Sequence, residues 1–104
     1  MYGRMARYTF SGDAAELGSR AEEGILPIFE AQPGFRAYSV IASEGEIMSF
    51  SAWDTPEQAE AANAAAAGWV GENMAADLDL KESRIGEILF STTLGVTTKA
   101  GATA

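Results

Sequence analysis

The order of secondary-structure signals along the chain constrains its fold more than any other feature. The sequence alternates strand, helix, two strands joined by a tight turn, helix and strand within about ninety residues. Two segments punctuate this order, QPGF at positions 32–35 and WDTPEQAEAAN at positions 53–63. The resulting order, βαββαβ, predicts a ferredoxin-like α+β fold: a four-stranded antiparallel sheet with both helices on one face.

A sheet with both helices on one side leaves its other face uncovered. The second and third strands are predicted at 35–43 and 46–54, joined by a two-residue turn. That turn pairs Ile41 with Met48 on one face and Val40 with Ser49 on the other, so both faces carry apolar side chains. Since an exposed apolar face needs another chain to bury it, we expect a homodimer.

The same hairpin register predicts a contact between a cation and an aromatic ring. It places Arg36 opposite Trp53 at the open end of the hairpin. A guanidinium stacked on an indole contributes about 0.5 to 1 kcal/mol, and we interpret this pair as structural.

Both helices begin at recognisable capping sequences. Asp13 can accept hydrogen bonds from the first free amides of the first helix, and Pro27 predicts a kink or a separate last turn of that helix. The second helix starts at Thr55, where the hydroxyl can cap, and Gln58 occupies the capping-box position. A final strand is predicted at 81–90.

The chain is predicted to contain one domain and a tail. Residues 1–90 hold all the predicted elements, and a chain of 104 residues is large enough for a single core. Residues 91–104 are rich in Thr, Gly and Ala, so we expect a mobile tail in which only Leu94 and Val96 could dock.

Composition excludes several classes of function. The chain has no His and no Cys, which removes the usual ligands of zinc and haem and the usual base of a catalytic serine. We therefore expect no metal site. A net charge of -8 disfavours binding to nucleic acid or anionic lipid. With no membrane-spanning apolar run and no secretion signal, we expect a cytoplasmic protein with no membrane partner.

The βαββαβ order, QPGF before the second strand and SAWDTPEQAEAAN after the third resemble the antibiotic-biosynthesis-monooxygenase-like group of dimeric α/β barrels. The resemblance covers about residues 4–90. It implies that two sheets pack into a barrel, with a pocket between sheet and helices in each subunit. Activities in this group include cofactor-free oxygenation of aromatic polyketides, haem degradation, quinol oxidation and aldehyde breakdown. The haem-degrading branch uses a His ligand that this sequence lacks.

The cofactor-free oxygenase branch implies a set of site residues. Members of that branch use an Asn and a Trp on the second helix, with a Tyr and an Arg nearby, and they act without metal or flavin. Carried over to this chain, the resemblance implies the catalytic residues Asn63, Trp69 and Arg84 and the substrate-binding residues Tyr8, Tyr38, Phe50, Asn73 and Met74.

Each of the polar candidates also has a structural interpretation. Trp69 can fill the core, and Asn63 can bond to the backbone of the sheet or of a loop. Asn73 can satisfy carbonyl groups of the last helical turn, and Arg84 can pair with a neighbouring acid such as Glu82.

Three functions therefore remain open. The first is a cofactor-independent monooxygenase acting on an aromatic or polyketide-like small molecule. The second is a non-catalytic module of the small-molecule-binding or stress type, which holds an apolar compound. The third is a dimer whose inner face is collapsed, with no cavity larger than one or two waters. The first predicts convergent polar groups in a pocket, and the second predicts a pocket without them.

Overall fold

A computed structural model describes residues 1–98 of the chain. Its elements are β1 (Tyr2–Phe10), α1 (Ala14–Glu30), β2 (Phe35–Ser43), β3 (Glu46–Trp53), α2 (Pro56–Asn73) and β4 (Leu78–Glu87). The four strands form one antiparallel sheet in the order β2-β3-β1-β4. The predicted ferredoxin-like α+β fold is confirmed.

Alternation along the strands shows which face of the sheet meets the helices. On β1, Arg4, Ala6 and Tyr8 are buried, and Ala6 and Tyr8 belong to the same apolar cluster as the inner residues of both helices. Neighbouring side chains on a strand point to opposite faces, so Met5 and Arg7 point away from the helices. We call that second side the open face; its apolar members include Met5, Ile41, Met48, Phe50 and Ala52.

Aromatic rings and small residues fill the space between the sheet and the helices. Phe29 of α1 is fully buried and packs edge-on against Trp53 at 5.2 Å and against Tyr38 at 4.8 Å between ring centroids. The inner face of α2 is made mostly of alanine, including the buried Ala59 and Ala62. Because alanine side chains are short, α2 can lie close to the sheet.

The predicted register of the hairpin holds except at its open end. Ile41 pairs with Met48 and Val40 with Ser49, as predicted. The prediction that Arg36 lies opposite Trp53 is wrong, because an irregularity between Phe35 and Ala37 places Phe35 there instead. The Arg36 side chain bonds to Asp54, with 2.6 Å between Nε and Oδ1.

The helix starts are those that the sequence predicts. Asp13 Oδ1 accepts a hydrogen bond from the amide of Ala15. The capping box of α2 is complete, since Thr55 Oγ1 accepts from the Gln58 amide and Gln58 Oε1 accepts from the Thr55 amide. Helix α1 runs without interruption through Pro27 to Glu30, so the separate last turn considered in the sequence is absent.

The last strand lies three residues earlier than predicted. It spans Leu78–Glu87 rather than 81–90, because its partner β1 begins at Tyr2, which pairs with Glu87. The Ile88 amide still donates to the Met1 carbonyl at 2.9 Å, and after it no strand within residues 1–98 continues the ladder. The apolar residues Leu89 and Phe90 therefore leave the sheet and are exposed.

The segment after β4 turns back on itself. Ser91 and Val96 form an isolated bridge, and Leu94 lines a depression on the open face. The expected mobility of the tail beyond residue 98 lies outside the described residues. Within residues 1–98, none of the helices combines the length and the hydropathy needed to cross a membrane.

Candidate functional site

A buried cation lies on the helix-facing side of the sheet. Arg4 of β1 has only 2% of its surface exposed. Its Nε donates to Oδ1 of Asn63 on α2 at 2.8 Å, and its Nη1 donates to Oγ of Ser49 on β3 at 3.1 Å. The guanidinium also lies over the ring of Phe29, with 5.7 Å to the centroid. Three elements of the fold thus hold this one side chain.

Arg4 differs from the other arginines because no carboxylate of residues 1–98 lies within ion-pair distance of it. The remaining four, Arg7, Arg20, Arg36 and Arg84, each pair with an Asp or a Glu. Burial lowers the pKa of Arg4, while the nearby Tyr8 and Tyr38 raise it. Since arginine stays protonated at neutral pH, the site holds a positive charge that the described side chains do not neutralise.

Two tyrosine side chains lie beside Arg4. Tyr8 of β1 is buried, and it lines the small space beside Arg4 together with Tyr38 of β2. Burial raises the pKa of Tyr38, although its hydrogen bond with Ser49 and the charge of Arg4 lower it. Tyr38 is therefore protonated at neutral pH and can donate a hydrogen bond.

A small cavity adjoins these polar groups. It measures about 20 Å³ and is bounded by Arg4, Tyr8, Tyr38 and Ser49 together with apolar residues of both helices and the sheet. A cavity needs roughly 10 to 15 Å³ to hold one water. The space next to Arg4 therefore has room for about one oxygen-sized atom.

A larger groove lies between α1 and the sheet next to this cavity. It measures about 340 Å³, and its walls come from α1, including Gly18 and Leu26, and from the sheet, including Tyr38, Val40 and Ile47. The last three residues also bound the small cavity, so the two spaces adjoin. We call this space the α1–β2 groove.

Three of the residues implied by the sequence come together here. Tyr8 and Tyr38 bound the small cavity, and Asn63 reaches it through its bond to Arg4. Trp69 is half-buried and packs against Gly24 of α1. Asn73 is exposed, and its Nδ2 donates to the carbonyl of Trp69 at 2.9 Å.

The remaining predicted residues lie elsewhere. Arg84 pairs with Met5 across β1 and β4, which places it on the open face, where it forms an ion pair with Glu82. Phe50 also lies on the open face and is 39% exposed. Met74 is fully buried in the core. The sheet therefore separates Arg84 and Phe50 from the Asn63 region.

The open face carries a broad depression of its own. It measures about 510 Å³, and its lining is mostly small or apolar, with Arg84 as a charged member. Phe50 and Met5 form part of its floor, and Ile88 and Leu94 from the end of the chain lie at its side.

Five acidic residues form surface ion pairs with Arg or Lys: Glu46, Asp54, Asp77, Asp79 and Glu82. The hydrogen bond from Arg36 lowers the pKa of Asp54, and that from Arg84 lowers the pKa of Glu82. In the part of the chain that the structure describes, no three acidic side chains come together in a way that could hold a metal ion.

Sequence reasoning missed Arg4 and Ser49. The sequence of β1 contains a signal for Arg4. This arginine stands at every second position with Ala6, Tyr8 and Phe10, so it lies on the same face of the strand as these three apolar residues. An arginine in register with three apolar residues indicates a buried cation.

Comparison with solved structures identifies proteins with this fold. SnoaB, a cofactor-independent oxygenase from Streptomyces nogalater, superposes with a TM-score of 0.67 at 17% identity, over 88% of this chain and 95% of SnoaB. A proposed antibiotic biosynthesis monooxygenase from Nitrosomonas europaea gives 0.66 at 18% identity, over 86% of this chain and all of that one. MupZ from Pseudomonas fluorescens gives 0.66 at 8% identity, over 81% and 65% of the two chains.

These likenesses confirm, at the level of the fold, the resemblance to antibiotic biosynthesis monooxygenases. No protein-family model matches the sequence, and no curated protein does. Because fold alone does not determine activity, function has to be argued from the site.

Proposed function

We propose that this protein is a cofactor-independent oxygenase that binds a phenolic, polyketide-like compound in the α1–β2 groove. The observation that carries the proposal is Arg4, a buried cation without a carboxylate partner in residues 1–98, beside a cavity that adjoins this groove. Burying a charge without a counter-ion costs several kcal/mol. An anionic ligand would offset that cost. The likeness of the fold to SnoaB supports oxygenation as the type of reaction.

Such a reaction needs little from the protein beyond a site for an anion. An electron-rich phenol of the anthrone type loses a proton, and the resulting carbanion transfers electrons to O2. A carbon–oxygen bond forms, the O–O bond breaks, and a CH2 group becomes a carbonyl. One oxygen atom enters the product, and the other leaves as water with the two hydrogens of the CH2 group. Fixed donors that meet the developing anion accelerate such a step.

The residues around Arg4 take distinct roles in this proposal. Arg4 stabilises the ionised substrate oxygen, and Tyr38, which stays protonated, donates a second hydrogen bond. Tyr8 and Ser49 complete the polar wall, and apolar residues of the groove hold the ring and exclude water. Asn63 contacts Arg4, and Trp69 acts from a distance by fixing α2 against α1.

We also propose that a second copy of the chain covers the open face. Ile41 is 49% exposed and Phe50 39% exposed on that face, beside Met5 and Met48. An apolar surface of this kind is typical of an interface between subunits.

Oxygen uptake with a panel of anthrone-like phenols tests the proposed activity. The wild-type protein should consume O2 and form the quinone, and Arg4→Gln should slow turnover by about 100-fold, the effect of removing one key donor. Arg36→Gln is the matched control, because Arg36 is exposed and paired with Asp54 on the surface. Circular dichroism would verify that each variant is folded. A wild-type rate no higher than that of a denatured sample, or equal rates for wild-type and Arg4→Gln, would contradict the proposal.

The open-face depression favours a second candidate, the binding of an apolar molecule without catalysis. Its volume of about 510 Å³ suits a small ligand, and Phe50 and Arg84 lie in its wall. Under this alternative, calorimetry would detect binding without oxygen uptake. Arg84→Gln would then weaken that binding, and Tyr8→Phe, at a position outside the lining of the depression, would leave it unchanged.

A further inference from the structure

Asn63 is the polar group in closest contact with the buried cation. It projects from an inner helix face whose neighbours are the buried Ala59, Ala62 and Ala66. Its amide oxygen accepts the hydrogen bond of Arg4 Nε at 2.8 Å. An amide oxygen fixes the guanidinium without adding charge. A carboxylate of the same shape at this position would form an ion pair with Arg4.

We propose that Asn63 is a positioning residue that holds Arg4 without neutralising it, and that the site thereby selects ligands with a single anionic oxygen, such as a phenolate or an enolate. This inference rests on the proposed function for the position of the site, but it does not require that the protein catalyses oxygenation. It concerns which ligands bind, whether or not oxygen then reacts.

The size of the cavity supports the preference for one oxygen. About 20 Å³ beside Arg4 accommodates one oxygen-sized atom, and the ring attached to it would extend into the adjoining α1–β2 groove. A carboxylate carries two oxygens and a phosphate more, so these groups exceed the space of about 20 Å³ beside Arg4. A phenolate presents a single oxygen in line with its ring.

Because the chain as a whole is negatively charged, the binding of an anion in this site depends on Arg4. The net charge of -8 repels anions in general, and Glu22 lies on the rim of the groove. An anion that binds here despite that repulsion must gain its affinity from a specific contact. Arg4 is the cation among the residues that line the small cavity.

The ionisation of bound 4-nitrophenol tests the inference, because its neutral and ionised forms absorb at different wavelengths. This probe is electron-poor and is not an oxygenase substrate. With the wild-type protein under argon, the pKa of the bound probe should fall by at least about one unit, equivalent to tenfold tighter binding of the ionised form. The neutral 4-nitroanisole and the bulkier anion 4-nitrobenzoate should bind about tenfold more weakly than the phenolate.

Three variants separate positioning from a merely structural role. Asn63→Ala keeps the free charge but loses the hydrogen bond, so it should weaken phenolate binding by only a few-fold. Asn63→Asp keeps an acceptor but neutralises Arg4, so it should weaken phenolate binding at least tenfold and restore the solution pKa of the probe. Gln32→Glu makes the same amide-to-carboxylate change after the end of α1, outside the residues that line the groove and the cavity, and should bind like the wild type.

A structural role for Asn63 predicts the reverse order, since Asn63→Asp would retain the bond that Asn63→Ala removes. Phenolate binding by Asn63→Asp as tight as in the wild type would overturn the inference, as would a wild-type protein that does not bind 4-nitrophenol. If the expected order is found but no phenol is oxygenated, the inference stands and the proposed activity fails.

Discussion

At the scale of single residues, the site is defined by a charge in an unfavourable place. Arg4 is almost completely buried, donates hydrogen bonds to an amide oxygen and a hydroxyl, and has no carboxylate partner in the described chain. A fold that only needed stability would place an apolar residue there or supply a counter-ion. Groups held at such a cost are candidates for function.

The first prediction concerns stability at this position. Asn63→Asp should raise the free energy of unfolding at pH 7 by about 1 kcal/mol, because a hydrogen bond to a charged acceptor is stronger than one to an amide. The new carboxyl would have a lower pKa in the folded state than in the unfolded state. The gain should therefore be present above the unfolded pKa of about 4 and be lost as pH falls through the lower, folded value.

Thermal denaturation of the wild type and Asn63→Asp between pH 7 and pH 2 measures this gain. A melting temperature for Asn63→Asp below that of the wild type at pH 7 would contradict the interpretation of Arg4 as an uncompensated charge.

The sequence identified part of this site. It indicated Tyr8, Tyr38 and Asn63, and the fold brings all three to Arg4. It also indicated Arg84, which the sheet places on the opposite face. Alternate residues of a strand face the core, and the alternation can start at either of two positions. In β1 it buries Arg4 and places Arg7 on the open face. The order of elements along the chain does not determine which set of alternate residues faces the core.

At the scale of elements, the structure depends on close contacts that only glycine permits. Helices α1 and α2 meet where Gly24 faces the ring of Trp69, and a Cβ added at Gly24 would lie 2.0 Å from Cζ2 of that ring. The QPGF turn has a similar dependence. Gly34 has a φ of 84°, and an added Cβ would lie 1.9 Å from Oε1 of Gln58, which caps α2.

Helix packing gives the second prediction. Gly24→Ala should destabilise the protein by about 1 to 3 kcal/mol, the usual effect of overpacking, because the Trp69 ring must move. Gly68→Ala on α2 is the control: its added methyl meets nothing within 4 Å, so better helix propensity should stabilise by about 0.5 to 1 kcal/mol. Urea denaturation of both variants measures the difference. Equal effects of the two substitutions would show that the Trp69 contact is not tight.

The QPGF turn gives the third prediction. Gly34→Ala should cost more than Gly45→Ala, although both glycines have positive φ, at 84° and 77°. At Gly45 the added methyl meets nothing within 4 Å, so only the backbone penalty of about 1 to 2 kcal/mol applies. At Gly34 the methyl also displaces the Gln58 cap, which adds about 1 kcal/mol. Chemical denaturation measures both variants, and a loss for Gly34→Ala no greater than that for Gly45→Ala would contradict this account of the turn.

Signals from neighbouring residues predicted where the helices start. Errors arose where the end of a strand depends on the partner strand with which it pairs. The caps at Asp13 and Thr55 depend on neighbouring residues, and both are confirmed. The end of β4 depends on where β1 begins, which is why the predicted strand at 81–90 is displaced. A uniform hairpin register likewise misses the irregularity between Phe35 and Ala37, where Arg36 bonds to Asp54 and Phe35 pairs with Trp53.

At the scale of the whole molecule, the sheet divides two surfaces of different character. The helix side holds the buried cation and the α1–β2 groove, whereas the open face holds exposed apolar side chains and the broad depression. In the proposed dimer, the second copy covers the open face and leaves the groove accessible in each subunit.

The fourth prediction concerns this assembly. Phe50→Lys places a charge in the centre of the open face and should shift a dimer towards the monomer by at least about tenfold in the dissociation constant, since desolvating an unpaired charge is costly. Leu80→Lys is the control, because Leu80 is similarly exposed but pairs with Tyr8 on the helix side. Sedimentation equilibrium at micromolar concentration measures both. A wild-type protein that sediments as a monomer, or a dimer unaffected by Phe50→Lys, would contradict the proposed interface.

A crystal structure of the protein with bound 4-nitrophenolate tests the central claim most directly. We expect the phenolate oxygen to lie within about 3 Å of a guanidinium nitrogen of Arg4, with the ring between α1 and β2. A phenolate bound instead on the open face against Phe50 and Arg84, with Arg4 hydrogen-bonded only to Asn63 and Ser49, would contradict this claim.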